Sequence, residues 1–332
     1  MSRYPQFDRS QIRLLPLAQR GHQLTAQEVL PLAPPAEPFV APGWPELVGA
    51  IQQARAKDRP VVLMMGGHPI KLGLSRFLID LVQRGWITHV AGNGSVLIHD
   101  FELALVGGTS EDVPRWIARG QFGLWQETSR LNDVIAQGAA RGEGLGEAVG
   151  RVVLEQRFPH RELSLAAACY QAGVPLTCHV SVGSDIIHAH ANCQGEALGQ
   201  CSYTDFLIFA HTVRHLEGGV YLNLGTAVTG PEVFLKALSM ARNVAHRQGE
   251  SIRRFATAVF DLVPLPPGYG QGPPGKEHPM YYYRPWKTLL VRTVQDGGQS
   301  YYFCGDHRRT VPGLWHALVG SAVRQEPQRR SA

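Results

Sequence analysis

The stretch from Arg59 to Glu102 constrains this chain more than any other. Arg59-Pro-Val-Val-Leu-Met-Met-Gly-Gly-His-Pro-Ile reads as a strand running into a glycine turn. After a helical pattern, Ala91-Gly-Asn-Gly-Ser-Val-Leu-Ile-His-Asp-Phe-Glu repeats the strand end and the turn. In a parallel α/β unit such turns fall at the carboxyl ends of neighbouring strands, where backbone N–H groups and a helix N-terminus can meet a phosphate. Further short apolar runs follow at Leu176–Val180, Val220–Leu224 and Ala256–Phe260. Their apolarity is continuous rather than alternating, which requires both faces to be covered and so predicts a mostly parallel sheet between helix layers. Helices are expected over Leu72–Arg84 and Pro231–Gln248.

Composition removes several classes. Hydrophobic content of 44% with 18% charged residues is that of a folded globular chain, not a disordered one. No apolar run reaches the roughly 18 residues of a membrane span, and the amino terminus lacks a signal peptide's apolar core. The expected compartment is the cytoplasm, with no membrane partner. Cys169, Cys178, Cys193, Cys201 and Cys304 are odd in number and without CxxC spacing, which argues for thiols rather than a disulfide framework or a zinc ribbon. The net charge of +5 is mild and its basic residues are dispersed outside Arg324–Arg330, so no nucleic-acid partner is expected.

Three segments differ in character. Residues 1–45, with prolines at 31, 34, 35, 38, 42 and 45, read as an extended arm tied to the body or to another subunit. Residues 46–320 read as a single Rossmann-like domain, interrupted by a Gly/Pro-rich loop at 264–279 suited to a lid or a subunit contact. Residues 321–332 read as a flexible basic tail.

Several motifs together carry a family resemblance. Val61–Leu74, Trp86–Ser95 and His99–Glu102 resemble, in order, the strand, turn, helix and second glycine-ended strand of deoxyhypusine synthases. Leu165–Leu176, Val182–His188 and Gly219–Val228 are similar to that family's later helix, Asp-Gly-Ser turn and glycine-ended strand. The resemblance spans roughly residues 46–320 and implies a Rossmann-like sheet that binds NAD, in a homodimer or homotetramer with sites between paired subunits. It also implies oxidation of spermidine and transfer of an aminobutyl group through a lysine imine. By position it implies cofactor contacts at Gly66, Gly67, Gly92, Asn93, Gly94, Ser95, Gly183, Ser184, Asp185, Gly225 and Thr226. Physical reading agrees, since glycine permits close backbone approach and Asp185 can accept from a ribose hydroxyl. The competing reading is that these glycines are only tight turns.

The catalytic half departs from the family. Its Glu-Ala-Val-Ser-Trp-Gly-Lys motif is absent, leaving Lys287 in Arg284-Pro-Trp-Lys and Lys236, near Glu232, as candidate lysines. The His-His pair expected before that helix is replaced by Thr229-Gly-Pro-Glu232. An imine-forming lysine needs burial or a neighbouring cation to free its amine; the alternative for both is a solvated surface charge. His188 and His190 share a strand face if Asp185–Cys193 is extended, and are read as an acid/base or orienting pair, as metal ligands, or as structural residues. No metal is assigned. Asp100, Glu102 and Glu111 suit a cationic amine at the mouth of the site, or else cap helices. Trp125 reads as a lid or as packing. The expected function is an NAD-dependent enzyme on a small amine or polyamine, a transferase in the family's terms. The alternatives are an NAD enzyme on a non-amine and a non-catalytic nucleotide-binding relative.

Overall fold

A computed structural model describes residues 2–323. Its centre is a six-stranded, all-parallel sheet in the order β5-β3-β2-β6-β7-β8. The strands are β2 (Val61–Met65), β3 (His89–Gly92), β5 (Leu176–Cys178), β6 (Val220–Leu224), β7 (Ala256–Asp261) and β8 (Gln299–Cys304). Two short strands outside it, β1 (Leu24–Thr25) and β4 (Gly108–Thr109), pair antiparallel.

The connections are α1 (Trp44–Ala56), α2 (His68–Lys71), α3 (Ser75–Gln83), α4 (Gly94–Val106), α5 (Val113–Ile117), α6 (Gln126–Arg141), α7 (Leu145–Glu155), α8 (Leu165–Ala172), α9 (Gly195–Arg214), α10 (Thr229–Arg247) and α11 (His307–Val323), with a π-helical segment at Pro285–Arg292. Residues along each strand alternate between two cores. Val61, Leu63 and Met65 of β2 join one cluster with residues of α1, α3, α7, α8 and α11. Val62 and Met64 join a second with residues of α9, α10 and the π-helical segment. Both faces of the central strands are therefore covered, which is why these strands read as mostly apolar runs.

Several expectations are adjusted. The helix expected from Leu72 breaks at Gly73, whose φ of +73° and close approach to Glu28 and Val29 of the arm stop one helix before α3 begins. The arm itself is not simply extended. It holds 3-10 turns and β1, its Leu15 bridges Trp125, and its Arg9 donates to the carbonyls of His190 and Cys193. The loop at 264–279 is tied down by Trp286, whose indole N–H donates to the carbonyls of Tyr269 and Gly272. Of the tail, residues 321–323 continue α11 and the rest lies outside the described residues. Among the described residues no helix is long and apolar enough to cross a membrane.

Candidate functional site

The chain runs outward from β2 through β3 to β5, then returns to lay β6 on the other side of β2 and continues to β7 and β8. The order reverses between β2 and β6, and in open parallel sheets ligands bind outside the carboxyl ends of the strands at such a point. Gly66 and Gly67 follow β2 there, and Gly225 and Thr226 follow β6. A Cβ on Gly66 would stand 2.5 Å from the Gly225 carbonyl oxygen, so the two turns touch. Gly225 has φ +62°, and His307 stands 2.8 Å from where its Cβ would be. Thr226 is buried and its hydroxyl accepts from the Gly230 N–H.

Beside β3, a Cβ on Gly67 would meet Ser95 and His99, one on Gly92 would meet Val96, and one on Gly94 would lie 2.0 Å from Asp185 Oδ2. Protein contacts thus account for glycine at 66, 67, 92 and 94. Gly183, at φ +93°, and Ser184 lie in an exposed turn. Asn93 is the N-cap of α4 and its side-chain oxygen accepts from the Ser95 hydroxyl. The edge has the switch-point topology at which dinucleotides bind in open parallel sheets, but not the sequence fingerprint. The first turn is not Gly-x-Gly-x-x-Gly and β3 ends in Gly92-Asn93 without an acid; Asp185, packed against Gly94, has its Oδ2 buried without a hydrogen-bond partner.

Ser95, Ile98, His99 and Glu102 fall at helical spacing on one face of α4 and line a cleft of about 210 Å³. Lys71, Glu111, Ser184 and Asp185 complete its polar walls. Glu102 is fully buried in a two-pronged pair with Arg20, both N···O distances being 2.9 Å. Burial opposes its charge, but Arg20 and the Thr128 hydroxyl outweigh it and hold the carboxyl below the usual range. Glu111 accepts from the Trp125 indole and the Gly123 N–H, and burial raises its pKa. Burial likewise lifts Asp185 to about 6. Trp125 is completely buried against Trp116, as packing.

Other candidates stand elsewhere. Asp100 is not at the mouth of a site: it is fully buried and accepts from the Ser164 hydroxyl and the Leu165 and Ala166 N–H groups, capping α8. His188 and His190 do not share a strand face, because Ile186–Ala189 forms a 3-10 turn. His188 Nδ1 accepts from the Gly183 and Asp185 N–H groups, and its Nε2 is 3.8 Å from Asp185 Oδ2. His190 is buried, and its Nε2–H donates to the Gly123 carbonyl at 2.7 Å. Lys236 is exposed on α10, paired with Glu232, which also binds Arg284 at 2.8 Å. Lys287 is buried with its ammonium 3.3 Å from the Tyr281 ring centroid. Neither lysine, nor Glu232, lines the cleft; Lys71 does.

Lys71, His99 and Arg20 are the basic side chains of the cleft that sequence reasoning passed over. The spacing of Ser95, His99 and Glu102 was a readable signal for His99. Nothing local marks Arg20, which reaches Glu102 across 82 positions. Among the described residues no group of three or more His, Cys, Asp or Glu is placed to hold a metal. A second cavity of about 270 Å³ lies at the outer edge strand β5, beside Tyr170 and Asp205, away from the switch point.

No protein-family model matches the chain. No curated protein matches it either. Among solved structures it is similar to ArgZ, an arginine dihydrolase from the ornithine–ammonia cycle in cyanobacteria, with 12% identity, a TM-score of 0.49, and coverage of 85% of this chain and 31% of that one. The chain thus spans about a third of that protein's length. A conserved LOR/SDH-type protein from Methanococcus maripaludis S2 gives 13%, 0.49, 87% and 74% for the same quantities. A candidate deoxyhypusine synthase from Entamoeba histolytica gives 10%, 0.41, 83% and 87%. All three TM-scores are below 0.5, so the architecture described above rests on the sheet topology itself.

Proposed function

We propose that this chain is an NAD-dependent enzyme, with the dinucleotide lying across the carboxyl edge of the sheet at the β2–β6 switch point and a small amine held in the cleft beside α4. The observation that carries the reading is the strand order, which reverses between β2 and β6 and puts the turns at Gly66–Gly67 and Gly225–Thr226 at the switch point, with Gly67 against the cleft residues Ser95 and His99. Asn93, Gly94 and Ser95 at the tip of β3 and Gly183, Ser184 and Asp185 beyond β5 would hold the far half of the dinucleotide, Asp185 accepting from a ribose hydroxyl. Bound NAD would supply two-electron oxidising capacity. The chain's own part is to orient the amine: Glu111 offers an acceptor to a cation, and the Arg20–Glu102 pair keeps the cleft wall rigid. The finer form of the proposal, transfer of an aminobutyl group from one amine to another in a homodimer or homotetramer, follows the family resemblance.

The test is formation of reduced nicotinamide by purified protein given NAD and either spermidine or 1,4-diaminobutane, with products identified by mass spectrometry and assembly by sedimentation. Amine-dependent reduction, weakened at least about tenfold in Glu111→Gln, is the expected result. Dinucleotide binding without any amine turnover would favour the non-catalytic reading.

A further inference from the structure

His99 sits on the cleft face of α4 and makes one hydrogen bond among the described residues, between Nδ1 and Thr109 Oγ1 at 2.8 Å. The direction of that bond follows from its neighbours. Glu102 accepts from Arg20, from the Thr128 hydroxyl at 2.6 Å and from the Thr109 hydroxyl at 2.7 Å. Held ionised by Arg20 against the cost of burial, Glu102 has no proton to give, so the single proton of Thr109 goes to Glu102. Thr109 can then only accept from His99. Nδ1 is therefore the protonated nitrogen, and Nε2 keeps a free lone pair.

The ring is fixed in place. Its Cδ2 stands 2.9 Å from where a Cβ on Gly67 would begin, so only glycine at 67 leaves room for it. The charged and titratable groups that act on it are Glu102, Arg20, Lys71 and His68, and Glu111 and Asp185 share its cleft. Burial holds its pKa at about 4, with Glu102 pulling upward and Lys71 and Arg20 downward, so the imidazole is neutral near pH 7.

We infer that His99 is a specificity-determining acceptor of the cleft, its Nε2 receiving a hydrogen bond from an amine N–H of the bound small molecule. Thr109, Glu102 and Arg20 are positioning residues that fix the tautomer. The inference rests on the reading of this cleft as an amine site, and the experiment separates the two. In the full chain labelled with ¹⁵N-histidine, His99 is expected to show the Nδ1–H tautomer, and Thr109→Val to mix in the Nε2–H form while the chain stays folded. Adding 1,4-diaminobutane should shift the Nε2 signal; its bis-trimethylammonium analogue, equal in charge but without N–H donors, should not.

Wild type should prefer the diamine over the analogue, and His99→Phe should cut that preference about tenfold, the loss of one charge-assisted hydrogen bond. His99→Gln, which keeps an acceptor, should recover part of it. An Nε2–H tautomer in wild type, or an unchanged preference in His99→Phe, would overturn the assignment of His99 and leave the amine reading standing. A diamine that does not bind wild type at all would overturn both.

Discussion

Asp100 and Glu102 stand two positions apart on α4, and the helix turns them toward different partners. Asp100 faces the start of α8 and caps it. Glu102 faces the cleft and locks Arg20. Asp100→Ala should cost about 1–3 kcal/mol by stripping buried donors of their acceptor, read by urea denaturation, while diamine affinity stays at the wild-type value. Glu102→Gln should cost more, about 3–5 kcal/mol, because it leaves the Arg20 guanidinium buried without a counter-charge. Equal losses in the two variants would contradict the separate roles given to them. Sequence alone could mark both as acids near a helix but not say which way each points, since their partners lie 64 and 82 positions away. The same limit hid Arg20, whereas the helical spacing of His99 and Glu102 was open to inspection.

At the scale of elements, strand positions were legible because both faces of the central strands are covered, so β2 appears as an unbroken apolar run and β6 and β7 as mostly apolar ones. Helix limits were less so, because Gly73 ends one helix by meeting the arm, a contact that no local pattern announces. The turn after β6 carries its own prediction. Gly225→Ala places a side chain at φ +62° against His307, which should cost about 1–3 kcal/mol and lower the melting temperature. A melting temperature equal to wild type would show that the turn after β6 is looser against His307 than described.

Asp205 on α9 tests the packing of α7 on β5. Its Oδ2 accepts from the Leu145, Gly146 and Cys178 N–H groups, yet burial lifts its pKa to about 8. The unfolded acid titrates near 3.9. Between about pH 4 and 8 the folded chain therefore holds a proton that the unfolded chain has lost, and this group's contribution to stability falls as pH rises. Asp205→Asn removes that dependence, so the variant should gain on wild type between pH 5 and pH 8 by denaturant titration. A constant difference across that range would mean that the three backbone donors keep Asp205 ionised.

For the whole molecule, the arm, the parallel sheet and the cleft form one arrangement. Arg20 comes from the arm, His99 and Glu102 from α4, and Lys71 from α2, so the arm supplies part of the cleft wall. The central claim is that the carboxyl edge of the sheet at the switch point takes NAD and that the cleft beside it takes an amine. Calorimetry of NAD binding to the full chain, with and without spermidine, tests it most directly. The account predicts saturable NAD binding that tightens when spermidine is present, because the two sites adjoin. No binding at millimolar NAD would contradict it and leave the glycine turns explained by the packing of β2 against β6 and of α4 against its neighbours.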